Sequence, residues 1–141
     1  MTHSFDGYNY LIRLGHGERL SAAIEQFVAE SKIEGGWISG VGAASEVELG
    51  FYRLSSKEYK WQKFDSMMEI VSLAGNLARD EQGKVMFHLH GVFADDEYQT
   101  VGGHVKDFVA GATVELFIHR SYQPMQRKYD DDTGLQLLDL K

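Results

Sequence analysis

Apolar and polar positions alternate along most of this chain, and a period of two marks a half-buried strand. Tyr8-Asn9-Tyr10-Leu11-Ile12-Arg13-Leu14 opens the pattern with aromatic and branched residues. Gly15-His16-Gly17 breaks it, and the period changes. Leu20, Ile24, Phe27, Val28 and Ser31 recur at helical spacing, which predicts an amphipathic helix over 18–32. Glu18 fits a first turn, where the helix dipole favours negative charge, and Gly35-Gly36 supplies a stop. From Trp37 the period of two returns. It predicts strands over 37–43, 46–54, 57–64, 67–78, 85–94, 98–106 and 110–120. Asp80-Glu81-Gln82-Gly83 and Asp95-Asp96-Glu97 carry turn chemistry between them. Leu135, Leu137 and Leu138 predict a last short pairing segment after the polar loop Asp130-Asp131-Asp132.

One helix among about eight strands predicts an α+β domain: an antiparallel or mixed sheet with one main amphipathic helix packed on it. The 67–78 strand is apolar on both faces, since Met68, Ile70 and Ala74 alternate with Val71, Leu73 and Leu77. Such a strand needs cover on both sides. A second sheet layer or another subunit would supply what one helix cannot.

The 141 residues suit one domain, spanning 1–141 with no internal boundary or repeat. The absence of cysteine excludes disulfides and thiolate metal sites, and fits a reducing compartment. The first residues lack the basic and apolar regions of a leader peptide. No apolar run approaches the ~18 residues of a membrane span. The expected location is the cytoplasm, with no membrane partner. The formal net charge of −7 disfavours direct binding to nucleic acid.

The candidate chemistry lies in Val85-Met86-Phe87-His88-Leu89-His90-Gly91-Val92-Phe93. Side chains two apart share a strand face, so His88 and His90 point one way and Phe87 and Leu89 the other. If Asp95-Asp96-Glu97 is a three-residue hairpin loop, Ala94 faces Tyr98, His88 faces His104 and His90 faces Gly102. A slip of one residue would move His104 to the wrong face. Three neutral imidazoles on one face form a zinc site with an open fourth position. Zinc is the first choice, and nickel, copper, cobalt or iron also accept three nitrogens. Histidines on a solvated sheet face, binding nothing, are the plain alternative.

Glu69 and Glu115 each lie in an otherwise apolar strand. A carboxylate so placed is a candidate acid or base, or a structural ion-pair or interface group. Asn76 after Gly75 reads as a ligand donor or as turn and bulge chemistry. His3, His16 and His119 have no partner at metal-ligand spacing. Arg120, Arg127 and Lys128, near Tyr122 and Tyr129, form a small basic region next to three aspartates. No Ser-His-Asp order, Walker loop or dinucleotide fingerprint occurs.

Several stretches together resemble the PPC domain, the plant and prokaryote conserved domain. They are Gly40-Val41-Gly42-Ala43, Leu49-Gly50-Phe51-Tyr52, Lys57-Glu58-Tyr59, Glu69-Ile70-Val71-Ser72-Leu73-Ala74-Gly75-Asn76, His88-Leu89-His90 and Gly102-Gly103-His104. The resemblance runs in order from about Tyr8 to Arg120. It implies a compact α+β fold that assembles as a homotrimer. It also implies that zinc can be held by histidines of the kind found here as His88, His90 and His104. In plants the domain follows AT-hook segments that read the minor groove, and the domain itself mediates assembly. This chain has no Arg-Gly-Arg-Pro segment, so a DNA-associated assembly or regulatory role rests on analogy alone. The sequence expectation is therefore a homotrimeric zinc-binding domain whose metal is open to water or a small anionic ligand. Any catalysis would use the metal as a Lewis acid or water activator, with Glu69 or Glu115 carrying the proton.

Overall fold

The computed structural model describes residues 1–140. The strands are β1 (Thr2–Phe5), β2 (Asn9–Gly15), β3 (Gly36–Arg53), β4 (Glu58–Phe64), β5 (Met68–Arg79), β6 (Val85–Ala94), β7 (Thr100–Arg120), β8 (Arg127–Asp130) and β9 (Leu135–Leu138), with the helix α1 (Leu20–Ser31) between β2 and β3. Strand accounts for 64% of the described residues and helix for 9%. The α+β expectation is thus corrected: the domain is dominated by one antiparallel sheet of seven strands, β1-β2-β7-β6-β5-β3-β4, and β8 and β9 form a separate hairpin.

The correction has a physical cause in β3 and β7. The breaks expected at 44–45 and 107–109 are not turns. Each strand runs on through bulges, 18 residues in β3 and 21 in β7. The pairing between them shifts at Gly42/Ala44, Ser45/Glu48 and Glu48/Leu49, and Gly42 and Glu46 adopt positive φ there. A bulge bends its strand and adds twist. The bends let β3 pair with β4, β5 and β7, while β7 pairs with β2, β3 and β6. The circuit β3–β5–β6–β7 closes on itself, as in a barrel, and needs little helix to cover its interior.

The inward faces supply Leu49, Leu73, Leu89, Phe93 and Val105 to one continuous core. The helix adds Leu20, Ala23, Ile24, Phe27 and Val28 to that core, with the Phe27 ring edge-on to Tyr10 at 5.0 Å. Glu18 does not belong to its first turn. It precedes the helix and accepts the Gly15 N–H at 2.7 Å. The helix start is capped instead by Asp107 of β7, which accepts from the backbone N–H of Ser21 at 3.0 Å and from its hydroxyl at 2.8 Å.

The outer face of the circuit is covered locally by the β8–β9 hairpin. Arg79 N–H donates to the Met125 carbonyl at 2.9 Å at one end. At the other end Lys57 Nζ donates to the Asp131 carbonyl at 2.6 Å, and the Tyr52 hydroxyl to that of Thr133. β1 and β8, four residues each, were not expected from the sequence.

Close approach of β5 and β6 depends on Gly75. A Cβ at that position would collide with the backbone carbonyl of His88. Gly75→Ala should therefore lower stability by about 1–3 kcal/mol, read as a lower urea midpoint. An unchanged midpoint would mean that the two strands do not need this contact distance.

Candidate metal centre

On β6, His88 and His90 point outward while Leu89 points into the core. His90 stands directly across from His104 on β7, and Gly91 across from Gly103. The expected pairing of His88 with His104 is therefore corrected by two residues. The turn explains the shift. Asp95 N–H bonds the Gln99 carbonyl at 3.0 Å, and Tyr98 takes the left-handed conformation. Asp95 Oδ1 accepts the N–H groups of Glu97 and Gln99 at 3.0 and 2.8 Å. Ala94 then faces Thr100 instead of Tyr98. A shift of two leaves every side chain on its expected face.

All three histidines converge. One ligating atom from each lies within 4.8 Å of the others. His88 Nε2 and His90 Nε2 are 3.2 Å apart. Nitrogens bound tetrahedrally to zinc lie about 3.3 Å apart, so this pair already matches that edge. The ring centroids are separated by 5.1 Å for His88–His90 and His88–His104, and by 5.5 Å for His90–His104. His104 Nδ1 is buried without a hydrogen-bond partner. A buried polar atom left unpaired costs about 1–3 kcal/mol, and a bound ion would relieve such a cost at a ligating nitrogen. These residues fit a metal.

The surroundings orient the cluster. His104 is paired with Gly50 of β3. A Cβ at Gly50 would lie 2.6 Å from the Trp61 ring and 2.8 Å from Tyr59. The missing side chain lets Tyr59 and Trp61 of β4 stack over that strand, and Tyr59 packs on the His104 ring at 4.9 Å. His88 is paired with Asn76 of β5. Burial, with help from neighbouring His88, His90 and Arg127, lowers the His104 pKa to about 4. Burial, Arg127 and His90 also lower that of His88. Both are thus neutral at pH 7, the form that binds metal.

Two neighbours of the site are Asn76, which the sequence offers as a ligand donor or as turn and bulge chemistry, and Arg127, which it offers only as part of a basic region. Asn76, buried in a regular part of the ladder, accepts from Arg127 at 2.6 Å. Its Gly-Asn pair is not bulge chemistry; the β5 irregularity falls between Ile70 and Ser72. Arg127 is not part of an exposed basic surface, because only 5% of it is accessible. Both signals were available, a polar residue in an apolar strand and an arginine in the tail, but the hairpin that unites them depends on tertiary contacts.

Glu69 is exposed opposite Ala94 and Ala43, and Glu115 is exposed opposite Arg13 and Val41. Neither lines the cavity beside the histidines. The other histidines have structural contacts. His16 Nδ1 meets the Gly111 carbonyl at 2.6 Å, His119 Nδ1 meets Asn9 Oδ1 at 2.8 Å, and His3 lies edge-on to Phe27.

Residues 1–121 match the family model described as the Plants and Prokaryotes Conserved (PCC) domain. No curated protein matches the sequence. Solved structures do match. A metal-containing protein of Archaeoglobus fulgidus is 30% identical, with a TM-score of 0.85 and 99% of each chain covered. A plant- and prokaryote-conserved (PPC) protein of Pyrococcus horikoshii is 26% identical, with a TM-score of 0.86, covering 99% of this chain and 96% of that one. A Bacteroides thetaiotaomicron protein described as a "putative dna binding protein" is 27% identical, with a TM-score of 0.92 and coverage of 98% and 96%.

The lowered histidine pKa values set a pH dependence. Between the ordinary value of 6.5 and the folded value of about 4 for His104, the unfolded chain binds more protons than the folded one. Stability present above pH 6.5 should therefore decline as pH falls towards 4. Urea midpoints of metal-free protein across this window check it. His104→Gln should make the decline shallower, and an unaltered slope would contradict the assignment.

Proposed function

The chain belongs to the Plants and Prokaryotes Conserved domain family, and from that premise we propose that it is a homotrimeric domain in which His88, His90 and His104 hold one zinc ion. The convergence of three imidazoles on one sheet face carries this reading. Zinc suits an all-nitrogen set of three with a further position left to water or a small anionic ligand. The cavity beside His88 and His104, about 450 Å³, gives such a ligand room. Bound there, the ion would supply Lewis acidity or water activation. The A. fulgidus relative, described as metal-containing, supports the reading.

Assembly is supported by the outer sheet face. Leu11, Trp37, Val41, Val71 and Phe117 are exposed on it, and Leu11 is paired with Phe117. Large apolar side chains on neighbouring strands are what a subunit interface covers. Glu69 and Glu115 are exposed, and neither lines the cavity in which His88 and His104 lie. Among the described residues no helix is long and apolar enough to cross a membrane, and with the absence of cysteine the proposed location is the cytoplasm. A DNA-associated role is suggested by the description of the B. thetaiotaomicron relative. The net charge of −7 and the burial of Arg127 weigh against direct contact with DNA.

Elemental mass spectrometry of untagged protein should find about one zinc per chain, lost in both His88→Ala and His104→Ala. Metal content unchanged by His88→Ala would defeat the proposal.

A further inference from the structure

Arg127 is a buried cation with no anionic partner among the described residues. Its guanidinium donates to Asn76 Oδ1 at 2.6 Å and to the Gln136 carbonyl at 2.7 Å, both neutral acceptors. Its Nε has no partner. Among the described residues no carboxylate forms an ion pair with it. The cavity it lines is also lined by His88 and His104, with Met86, Leu135 and Leu138 among its apolar residues. No aspartate or glutamate lines it, although the chain carries 21. Zinc held by neutral imidazoles would add two further positive charges. Buried charge of one sign demands a counter-charge, and the lining offers none.

We propose that this cavity binds a small organic carboxylate with a short hydrocarbon chain. The carboxylate would lie at Arg127 beside the metal, and the chain against Met86, Leu135 and Leu138. A carboxylate can accept the terminal guanidinium N–H groups that Asn76 and Gln136 leave free, and the apolar wall favours a hydrocarbon over a wholly hydrated inorganic anion. The proposal rests on the zinc reading only for the second source of charge. Arg127 and the β8–β9 hairpin lie outside residues 1–121, the stretch that matches the family.

Calorimetric titration with hexanoate tests it, on zinc-loaded and chelator-treated protein, with zinc content measured in each sample. Hexanoate should bind the zinc-loaded chain, and inorganic phosphate and 1-hexanol more weakly. Arg127→Met should weaken hexanoate binding roughly tenfold or more with zinc retained. Leu137→Glu, at the partly exposed rim of the same cavity, should weaken it as well by placing a competing carboxylate there, whereas Leu137→Gln should not. If Arg127→Met does not fold, the Leu137 pair decides. Equal hexanoate affinity in Leu137→Glu and the parent, or no binding to the parent, overturns the proposal. Phosphate binding more tightly than hexanoate overturns the hydrocarbon part. If the chain takes up no zinc, the metal reading fails alone. The chelator-treated titration then decides the cavity: Arg127-dependent binding upholds it and its absence overturns it.

Discussion

His90 and His104 face each other across two antiparallel strands, and the rest of the candidate site is built outward from that pairing. The Asp95 turn fixes the register, and the register places both imidazoles on the outer face with Leu89 and Val105 on the core side. His88 follows two residues along the same strand. Because a strand's side chains alternate with a period of two, the burial of Leu89 and Phe93 commits the histidines to the opposite face. The core and the cluster are one constraint seen from two sides.

Bulged, continuous β3 and β7 make that arrangement possible. Their bends close the circuit that contains β5 and β6, so the histidines project from a closed sheet instead of a loop. Glycines mark where backbones or rings must come close: Gly75 against His88, and Gly50 beneath Tyr59 and Trp61. The β8–β9 hairpin then turns an exposed face into a cavity, bringing Arg127 over Asn76. Burial and the charge of Arg127 both favour neutral imidazoles, which is the protonation state that a metal requires.

The histidine cluster was legible in the sequence because face is set by a parity, and parity survives an error of two in the register. The predicted partner of His104 was wrong, but the predicted face was right. The helix was legible from Leu20, Ile24, Phe27 and Val28, all buried. The balance of the fold was not. Small and polar residues near Ala44-Ser45-Glu46 and the Asp107 region resemble breaks, yet here they mark bulges in continuous strands, a distinction fixed by partners far away in the chain. The role of Arg127 was hidden for the same reason: beside Lys128 it looks like surface charge, and only the hairpin's docking buries it. Asn76, across from His88, gained its meaning from that docking too.

The central claim is that these three side chains form one metal site. The most direct measurement is an anomalous difference map, collected at the zinc absorption edge from crystals of the zinc-loaded protein. A single strong peak about 2.0–2.1 Å from one nitrogen each of His88, His90 and His104 is the result predicted. Zinc bound elsewhere on the chain, with the three rings in place and no peak between them, would contradict it.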